Sequence, residues 1–326
     1  MYKLKTSKPI IIVSGEPNSV FSEILIKAFK SYNCRKPIVV IGSHKLFIKQ
    51  MRKLNKKANF NLINSKSKSL KDLKRNKINF IDINYVFKKP FEDISSKSNS
   101  YISKCFKMAF TLIKNNRISG LINGPVSKKY FLKNKYPGIT EYLSKSFNIN
   151  KKFCMLIYEK NLSVSPITTH LPINRVTNNI NRNDIVTKTL LISNFFKQKF
   201  NKKPKIAMTG LNPHCENFFK KSEEIKIIEP AIKDLKKRNV NISGPMPADT
   251  VFLKENSKKF DVIVGMYHDQ VLAPIKALHG FNAINITLGL PFLRISPDHG
   301  PNFKMVGKNK SNPKSLIQAI KFLDRL

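Results

Sequence analysis

The chain has 326 residues, 41% of them hydrophobic, and 60 Lys and Arg against 20 Asp and Glu give a formal net charge of +40. This composition excludes global disorder, and no run approaches the roughly 20 apolar residues of a membrane helix, so no membrane partner is expected. The lysines spread along the whole chain without an aromatic–basic motif, so the charge reads as a compositional bias that can steer anionic metabolites, not as a nucleic-acid surface.

The start, "MYKLKTSKPIIIVSGEP", holds only four consecutive aliphatics, Ile10 to Val13. That is too short for a signal-peptide core and predicts a first strand. "SVFSEILIKAFKSY" follows with Ile24, Ile26, Ala28 and Phe29 as the buried face of a helix. "KPIVVIGS" is a second strand. From Gln50 to Asn79 the apolar residues thin out among Lys, Asn and Ser, which predicts a solvated surface region within the first domain. "SNSYISKCFKMAFTLIKNN" is the clearest helix, with Ile102, Phe106, Ala109, Phe110 and Ile113 spaced by three and four. "ISGLINGPVSKK" is a strand entering a polar turn, and "SVSPITTH", "PKIAMTGLNPH", "FDVIVGMYHDQ" and "NAINITLGLPFLR" come later. The alternation predicts an α/β fold with a largely parallel sheet and length enough for two domains. Cys34, Cys105, Cys154 and Cys215 form no zinc or disulfide spacing, which points to a reducing cytoplasm.

Ligands in open α/β sheets bind beyond the carboxyl ends of the strands. Three of the six histidines share that context: His170 after "SPITT", His214 after "IAMTGLNP" and His268 after "VIVGMY". Three neutral imidazoles converging there could hold one divalent cation and leave positions for substrate. For any one of them alone, a hydrogen-bonded structural role is the better reading, and the shared context of the three brings the metal reading level with it. His44 reads as solvated, His279 and His299 are weaker candidates, with His299 capping the turn after "LRIS", and Cys215 reads as a small packed residue beside His214. No G-x-G-x-x-G, G-x-x-x-x-G-K-[ST] or G-x-S-x-G occurs. Lys276, Asn285 and Arg294 suit a small, multiply charged anion. As plain surface cations, the Lys and Arg would be two among 60.

"INGPVSK", "TEYL", "TTHLPI", "TGLNPH", "GPMPADTVF", "YHDQVLAPIK" and "NITLGLPFLRISPDHG" together resemble the 4-hydroxythreonine-4-phosphate dehydrogenases of vitamin B6 synthesis, from the first strand to Gly300. The resemblance implies the isocitrate/isopropylmalate dehydrogenase-like fold, two α/β domains with the active cleft between them. Residues 1–130 plus 297–326 would form the first domain, and 131–296 the second, with dimerisation and the metal site. It implies a homodimer whose metal site is completed across the subunit interface. The metal ligands fall on His170, His214 and His268, and the substrate contacts on Thr140, Lys276, Asn285 and Arg294. NAD or NADP accepts a hydride from C3 of 4-phosphohydroxy-L-threonine while a divalent cation favours the alkoxide. The resulting β-keto acid loses CO2 to give 3-amino-2-oxopropyl phosphate. Three imidazoles suit Zn²⁺, Co²⁺ or Fe²⁺, and substrate oxygens admit Mg²⁺ or Mn²⁺. Asp249 and Asp269 would orient the ligand imidazoles or meet the metal directly.

The chain departs from the family pattern at three places. It reads "GITEYL" where the family has a histidine before the threonine, so Ile139 removes a side-chain hydrogen bond. The first loop, "SGEPNSVFSEI", is glycine-poor. "NPHCENFF" lacks a glycine and is one residue shorter, in a loop expected to face the cofactor. These changes leave open a paralogous dehydrogenase of a phosphorylated sugar acid, 4-phosphoerythronate or phosphothreonate. A reading of another class is a basic RNA-binding protein on a degenerate enzyme fold.

Overall fold

The computed structural model describes residues 8–64, 70, 72–133, 135–136, 138–148, 153–215, 222–297 and 300–326. In chain order the first elements are β1 (Ile10–Val13), α1 (Phe21–Ser31), β2 (Ile38–Gly42), α2 (His44–Lys53), β3 (Phe60–Ile63), β4 (Ile78–Asp82), α3 (Asn99–Asn115), β5 (Gly120–Asn123) and α4 (Ile139–Ser146). Then come β6 (Cys154–Tyr158), β7 (Ser163–Thr168), α5 (Arg182–Phe200), β8 (Ile206–Thr209), α6 (Glu229–Lys237), β9 (Ile242–Met246) and the short α7 (Lys254–Ser257). The chain closes with β10 (Val262–Tyr267), α8 (His268–His279), β11 (Ile284–Leu288), β12 (Arg294–Ser296) and α9 (Lys314–Arg325). Two compact units emerge: residues 1–142 with 292–326, and residues 143–291.

In the first unit the strands run in the order β3-β4-β2-β1-β5-β12, every pair parallel. Parallel strands covered on both faces must be apolar throughout. Ile10, Ile11, Ile12 and Val13 are accordingly fully buried. Nearly all of the early half of α1 is inside, including Ile24, Leu25 and Ile26. The buried face of α3 is Tyr101, Ile102, Cys105, Phe106, Ala109 and Leu112. Phe110 and Ile113, expected on that face, are only half-buried because Tyr101 and Cys105 rotate the stripe away from them.

Two expectations for this unit are corrected. The Lys/Asn-rich stretch is not merely a solvated surface, because its Phe60–Ile63 segment pairs in parallel with β4 as an edge strand. Residues 65–69 and 71 of that stretch lie outside the described residues. His44 is not solvated either. It opens α2 with its ring edge-on to Phe60 and Phe80, at centroid distances of 5.0 and 5.4 Å. Its imidazole is thus part of an aromatic cluster.

In the second unit the order is β11-β6-β7-β10-β8-β9. β7, β10, β8 and β9 are mutually parallel, while β11–β6 and β6–β7 are antiparallel. Its core gathers Met155, Val164, Ala207, Ile263, Val271 and Ile275, seating α8 against the sheet. Among the described residues no helix is long and apolar enough to cross a membrane.

Candidate active site

Three neighbouring strands of the second unit deliver the three histidines. β7, β10 and β8 lie side by side and parallel, so their carboxyl ends share one edge of the sheet. His170 follows Thr168 at the end of β7, His268 follows Tyr267 at the end of β10, and His214 lies five residues past Thr209 on β8. The His170 and His268 ring centroids are 5.9 Å apart. A ring centroid sits about 3 Å from an ion bound to its nitrogen, so two imidazoles on one tetrahedral ion hold their rings roughly 5–6 Å apart. His268 Nδ1 lies 2.6 Å from Asp269 Oδ1. If the ring donates there, Nε2 is the nitrogen that faces away and keeps its lone pair.

His170 and His214 have left-handed backbones, with φ of 52° and 55°, and Cys215 after His214 has φ of 56°. Each such non-glycine residue costs about 1–3 kcal/mol and persists only where the surroundings hold it. The glycine-poor loop after β8 therefore carries strain on His214, one of the expected ligands. Its remainder, residues 216–221, lies outside the described residues, as does His299. Cys215 is half-buried, and burial pushes its thiol up, the Gly210 N–H opposes this, and the Glu224 and Asp249 carboxylates add to the rise. The exposed Asp249 is thereby placed within electrostatic reach of the His214 loop. Within one chain, the described residues contain no group of three His, Cys, Asp or Glu side chains that could hold an ion. The contacts seen are pairwise, His170 with His268 and His268 with Asp269.

Two buried side chains hold these strand ends. Gln270 accepts from Met266 N–H at 2.7 Å and from Thr209 Oγ1 at 2.9 Å, and donates to the Gly210 carbonyl at 2.8 Å. It thereby clamps the end of β8 to the start of α8, where His268 stands. Glu224, fully buried, accepts from the N–H groups of Leu211 and Asn212 and from the Asn212 amide, each at 2.8 Å. Burial alone would raise its carboxyl, but these hydrogen bonds outweigh it and hold the group below its ordinary 4.5. At Gly210 a Cβ would meet Cys215 Sγ at 2.6 Å, so the turn admits no side chain. Neither Gln270 nor Glu224 stood out in the sequence. "YHDQ" offered Gln270 to view, but nothing in "KSEEIKII" distinguishes Glu224 from a surface acid.

Lys276 is exposed on α8, about 12 Å along the helix from His268. Asn285 lies on β11, and its Oδ1 is buried without a hydrogen-bond partner among the described residues. A small cavity of about 130 Å³ is lined by Thr168, Leu171, Val176, Tyr267, His268 and Asp269.

The other two predicted substrate contacts meet inside the first unit. Arg294, 1% exposed, donates from Nε to Asn123 Oδ1 at 2.8 Å and from Nη1 to Thr140 Oγ1 at 3.1 Å. The pairing of Arg294 with Leu121 puts the arginine beside the end of β5, where Asn123 stands. Burial lowers the guanidinium to about 10, against the opposing Glu141 carboxylate. Asn123 is a further member of this hydrogen-bonded node. It follows the apolar "GLI" as the histidines follow their strands, a signal the sequence carried. Asn123 and Ile139 both line a cavity of about 1160 Å³, whose walls all belong to this unit.

The glycine-poor first loop forms another part of that wall. Gly15, with φ of 74°, stays where a Cβ would meet the Pro125 carbonyl at 2.3 Å. Beyond it, Glu16, Asn18 and Ser19 are buried polar residues. Ser19 Oγ donates to the Glu16 carbonyl at 2.7 Å, and Glu16 Oε2 accepts from Ser98 Oγ at 2.9 Å.

The profile of the family described as "pyridoxal phosphate biosynthetic protein PdxA" matches residues 33–323. The chain is 36% identical over 318 residues to the 4-hydroxythreonine-4-phosphate dehydrogenase of Sulfurihydrogenibium sp., covering 95% of this chain and 96% of that one. It is 29% identical over 332 residues to the D-threonate 4-phosphate dehydrogenase of Pectobacterium atrosepticum, covering 98% and 99%. The crystal structure of 4-hydroxythreonine-4-phosphate dehydrogenase from Klebsiella pneumoniae superposes with a TM-score of 0.84 at 28% identity, over 97% of this chain and 98% of that one. A β-decarboxylating dehydrogenase from Thermococcus kodakarensis, at 11% identity and a TM-score of 0.51 over 96% and 82%, shares the fold. With strand-end histidines, a buried arginine node and dehydrogenase relatives along nearly its whole length, the chain belongs to the pyridoxal phosphate biosynthetic protein PdxA family and is an oxidoreductase of that kind.

Proposed function

We propose that the chain oxidises 4-phosphohydroxy-L-threonine at C3 and that the product loses CO2 to give 3-amino-2-oxopropyl phosphate. The observation that carries this reading is the His170–His268 pair with Asp269 on His268, at the ends of adjacent parallel strands. Two borderline nitrogen donors, one oriented by a carboxylate, fit a Zn²⁺- or Co²⁺-like cation with substrate oxygens completing its shell. When bound, such a cation supplies Lewis acidity at the C3 oxygen, and NAD or NADP supplies the hydride acceptor.

The residues of the chain supply the rest. Asp269 fixes the ring of His268, and Gln270 fixes the backbone that carries it. Arg294 holds an anionic group of the substrate by charge-assisted hydrogen bonds, with Thr140 and Asn123 setting the plane of its guanidinium. Lys276 adds a positive charge, and Asn285 Oδ1 accepts from the substrate. Hydride leaves C3, and the hydroxyl proton passes to solvent. The C3 ketone then accepts the electron pair released as the C1 carboxylate departs as CO2, and C2 takes up a proton.

Among the described residues the ligand set of one chain is short of a third side chain, and Ile173 near His170 is an exposed apolar residue at 68%. Both features support a homodimer in which a second copy covers this edge and completes the metal site. Ile139 lining the cavity favours one further reading, an acid lacking the amine, such as D-threonate 4-phosphate. Mass spectrometry of the products separates the two. The first reading predicts one CO2 and one aminoketone phosphate per hydride transferred. An unreacted aminated substrate alongside a consumed sugar acid would reverse the choice.

A further inference from the structure

His170 keeps its left-handed φ of 52° just past the end of β7. A non-glycine residue holds that conformation only where the chain on either side of it is fixed. Two side chains fix the strand end in front of it. Thr168, buried, donates from Oγ1 to the Met266 carbonyl at 2.8 Å. Lys188 on α5 donates from Nζ to the Ile167 carbonyl at 2.7 Å. Pro166 in the same strand brings no N–H to the sheet, which leaves more of the fastening to side chains.

The Thr168 bond is placed evenly between the two rings. Thr168 comes two residues before His170 and Met266 two residues before His268, and Thr168 stands opposite Tyr267 in the register of β7 and β10. Met266 is held through its other backbone group as well, because its N–H donates to Gln270 Oε1, which also accepts from Thr209 Oγ1. One line of hydrogen bonds, Thr168 to Met266 to Gln270 to Thr209, thus crosses β7, β10 and β8, the strands that lead to the three histidines. All four residues are buried. At Gly265 a Cβ would meet Val271 Cγ1 at 2.4 Å and Gln270 Oε1 at 2.9 Å, so β10 keeps a glycine where this line needs room.

We propose that Thr168 is a positioning residue for the cation, with Lys188 steadying the same strand end from α5, an assignment that rests on the metal-dependent reading above. The Thr168 hydroxyl acts through the main chain of Met266. It ties the two strand ends together and so sets the separation of the His170 and His268 rings. The ligands of such a site must be held within about 0.5 Å of the productive geometry by the groups behind them. Rings spaced in advance lose little freedom when the ion arrives, and affinity rises accordingly.

The test is Zn²⁺ affinity of the full chain, read by competition with a chromophoric chelator, beside urea unfolding without metal. Thr168→Val keeps the shape and removes the hydroxyl, and Thr168→Ser restores the hydroxyl. Lys188→Met removes the second tie from a partly exposed position. Thr189→Val on α5 is the control, because its hydroxyl is buried without a partner among the described residues. The expected Kd for Zn²⁺ is about tenfold or more weaker in Thr168→Val, with a smaller loss in Lys188→Met. Thr168→Ser should stay close to the wild type, and Thr189→Val should be unchanged. One buried hydrogen bond is a small part of the stability of a chain this size, so the variants stay folded. Should Thr168→Val unfold, Lys188→Met decides, and unchanged affinity there would overturn the assignment. Lower stability of Thr168→Val with Zn²⁺ affinity intact, or a Thr168→Ser as weak as Thr168→Val, would overturn the positioning role and leave the metal reading standing. A wild type that binds none of Zn²⁺, Co²⁺, Mg²⁺ or Mn²⁺ would overturn the metal reading and this assignment with it.

Discussion

Arg294 Nη1 lies 3.1 Å from Thr140 Oγ1 while its Nε lies 2.8 Å from Asn123 Oδ1. The guanidinium is therefore fixed as a planar fork before substrate arrives, and no rotamer entropy remains to be lost on binding. Arg294→Lys keeps the charge and loses the fork. It should lower kcat/KM by about 10- to 150-fold, the worth of 1.5–3 kcal/mol of charge-assisted hydrogen bonding. Thr140→Val should lower it less, with the loss mainly in KM. Steady-state kinetics on the two variants checks both, and equal losses would contradict the division of roles.

The Asp269 carboxylate beside His268 predicts a metal-affinity defect without unfolding. Asp269→Asn removes the charge that favours the Nδ1–H tautomer. Metal affinity should fall about 10- to 100-fold, read by competition with a chromophoric chelator. His170→Ala and His268→Ala should each abolish retention of the metal through dialysis. Retention by both variants would remove the paired rings from the site.

Gln270 makes three hydrogen bonds while 8% exposed. Gln270→Leu keeps the bulk and leaves the Met266 N–H and the Gly210 carbonyl without that partner. A loss of about 2–3 kcal/mol in denaturant unfolding is expected, together with weaker metal binding because His268 begins the same helix turn. A loss of stability with metal affinity intact would make Gln270 structural only.

Glu224 gives the pH prediction. Burial raises its carboxyl, but the N–H groups of Asn212 and Leu211 outweigh burial and hold the folded value below 4.5. The unfolded glutamate therefore takes up its proton first as pH falls. The stabilisation is full above the unfolded value near 4.5 and is lost as pH falls through the folded value. Glu224→Gln should be less stable at pH 7 by about 1–3 kcal/mol. It should also show a flatter acid limb between pH 5 and pH 3 in urea titrations (~2 pH units spanning the ordinary carboxylate range). Parallel limbs for wild type and variant would contradict the assignment.

The buried parallel strands were legible because full burial demands unbroken aliphatics, as in Ile10–Val13 and Val262–Val264. β3 was not, because an edge strand is paired and covered on fewer sides and its Phe60–Ile63 stretch needs few apolar residues. β9 was hidden by the glycine and proline of "ISGPM". At the site, the strand-end rule located all three histidines, yet it gave no reason for two of them to stand with their rings 5.9 Å apart in one chain. Arg294 looked like one cation among many. Only the pairing of β12 with β5 shows it to be buried against Asn123 and Thr140. Glu224 was invisible because its partners are backbone N–H groups, which no sequence pattern marks.

The most direct measurement is absorbance at 340 nm when the full chain meets 4-phosphohydroxy-L-threonine with NAD or NADP, before and after a chelator. A rise that the chelator stops and an added divalent cation restores is the predicted result. No rise with this substrate under a rise with D-threonate 4-phosphate, or a rise that the chelator leaves untouched, would contradict the account.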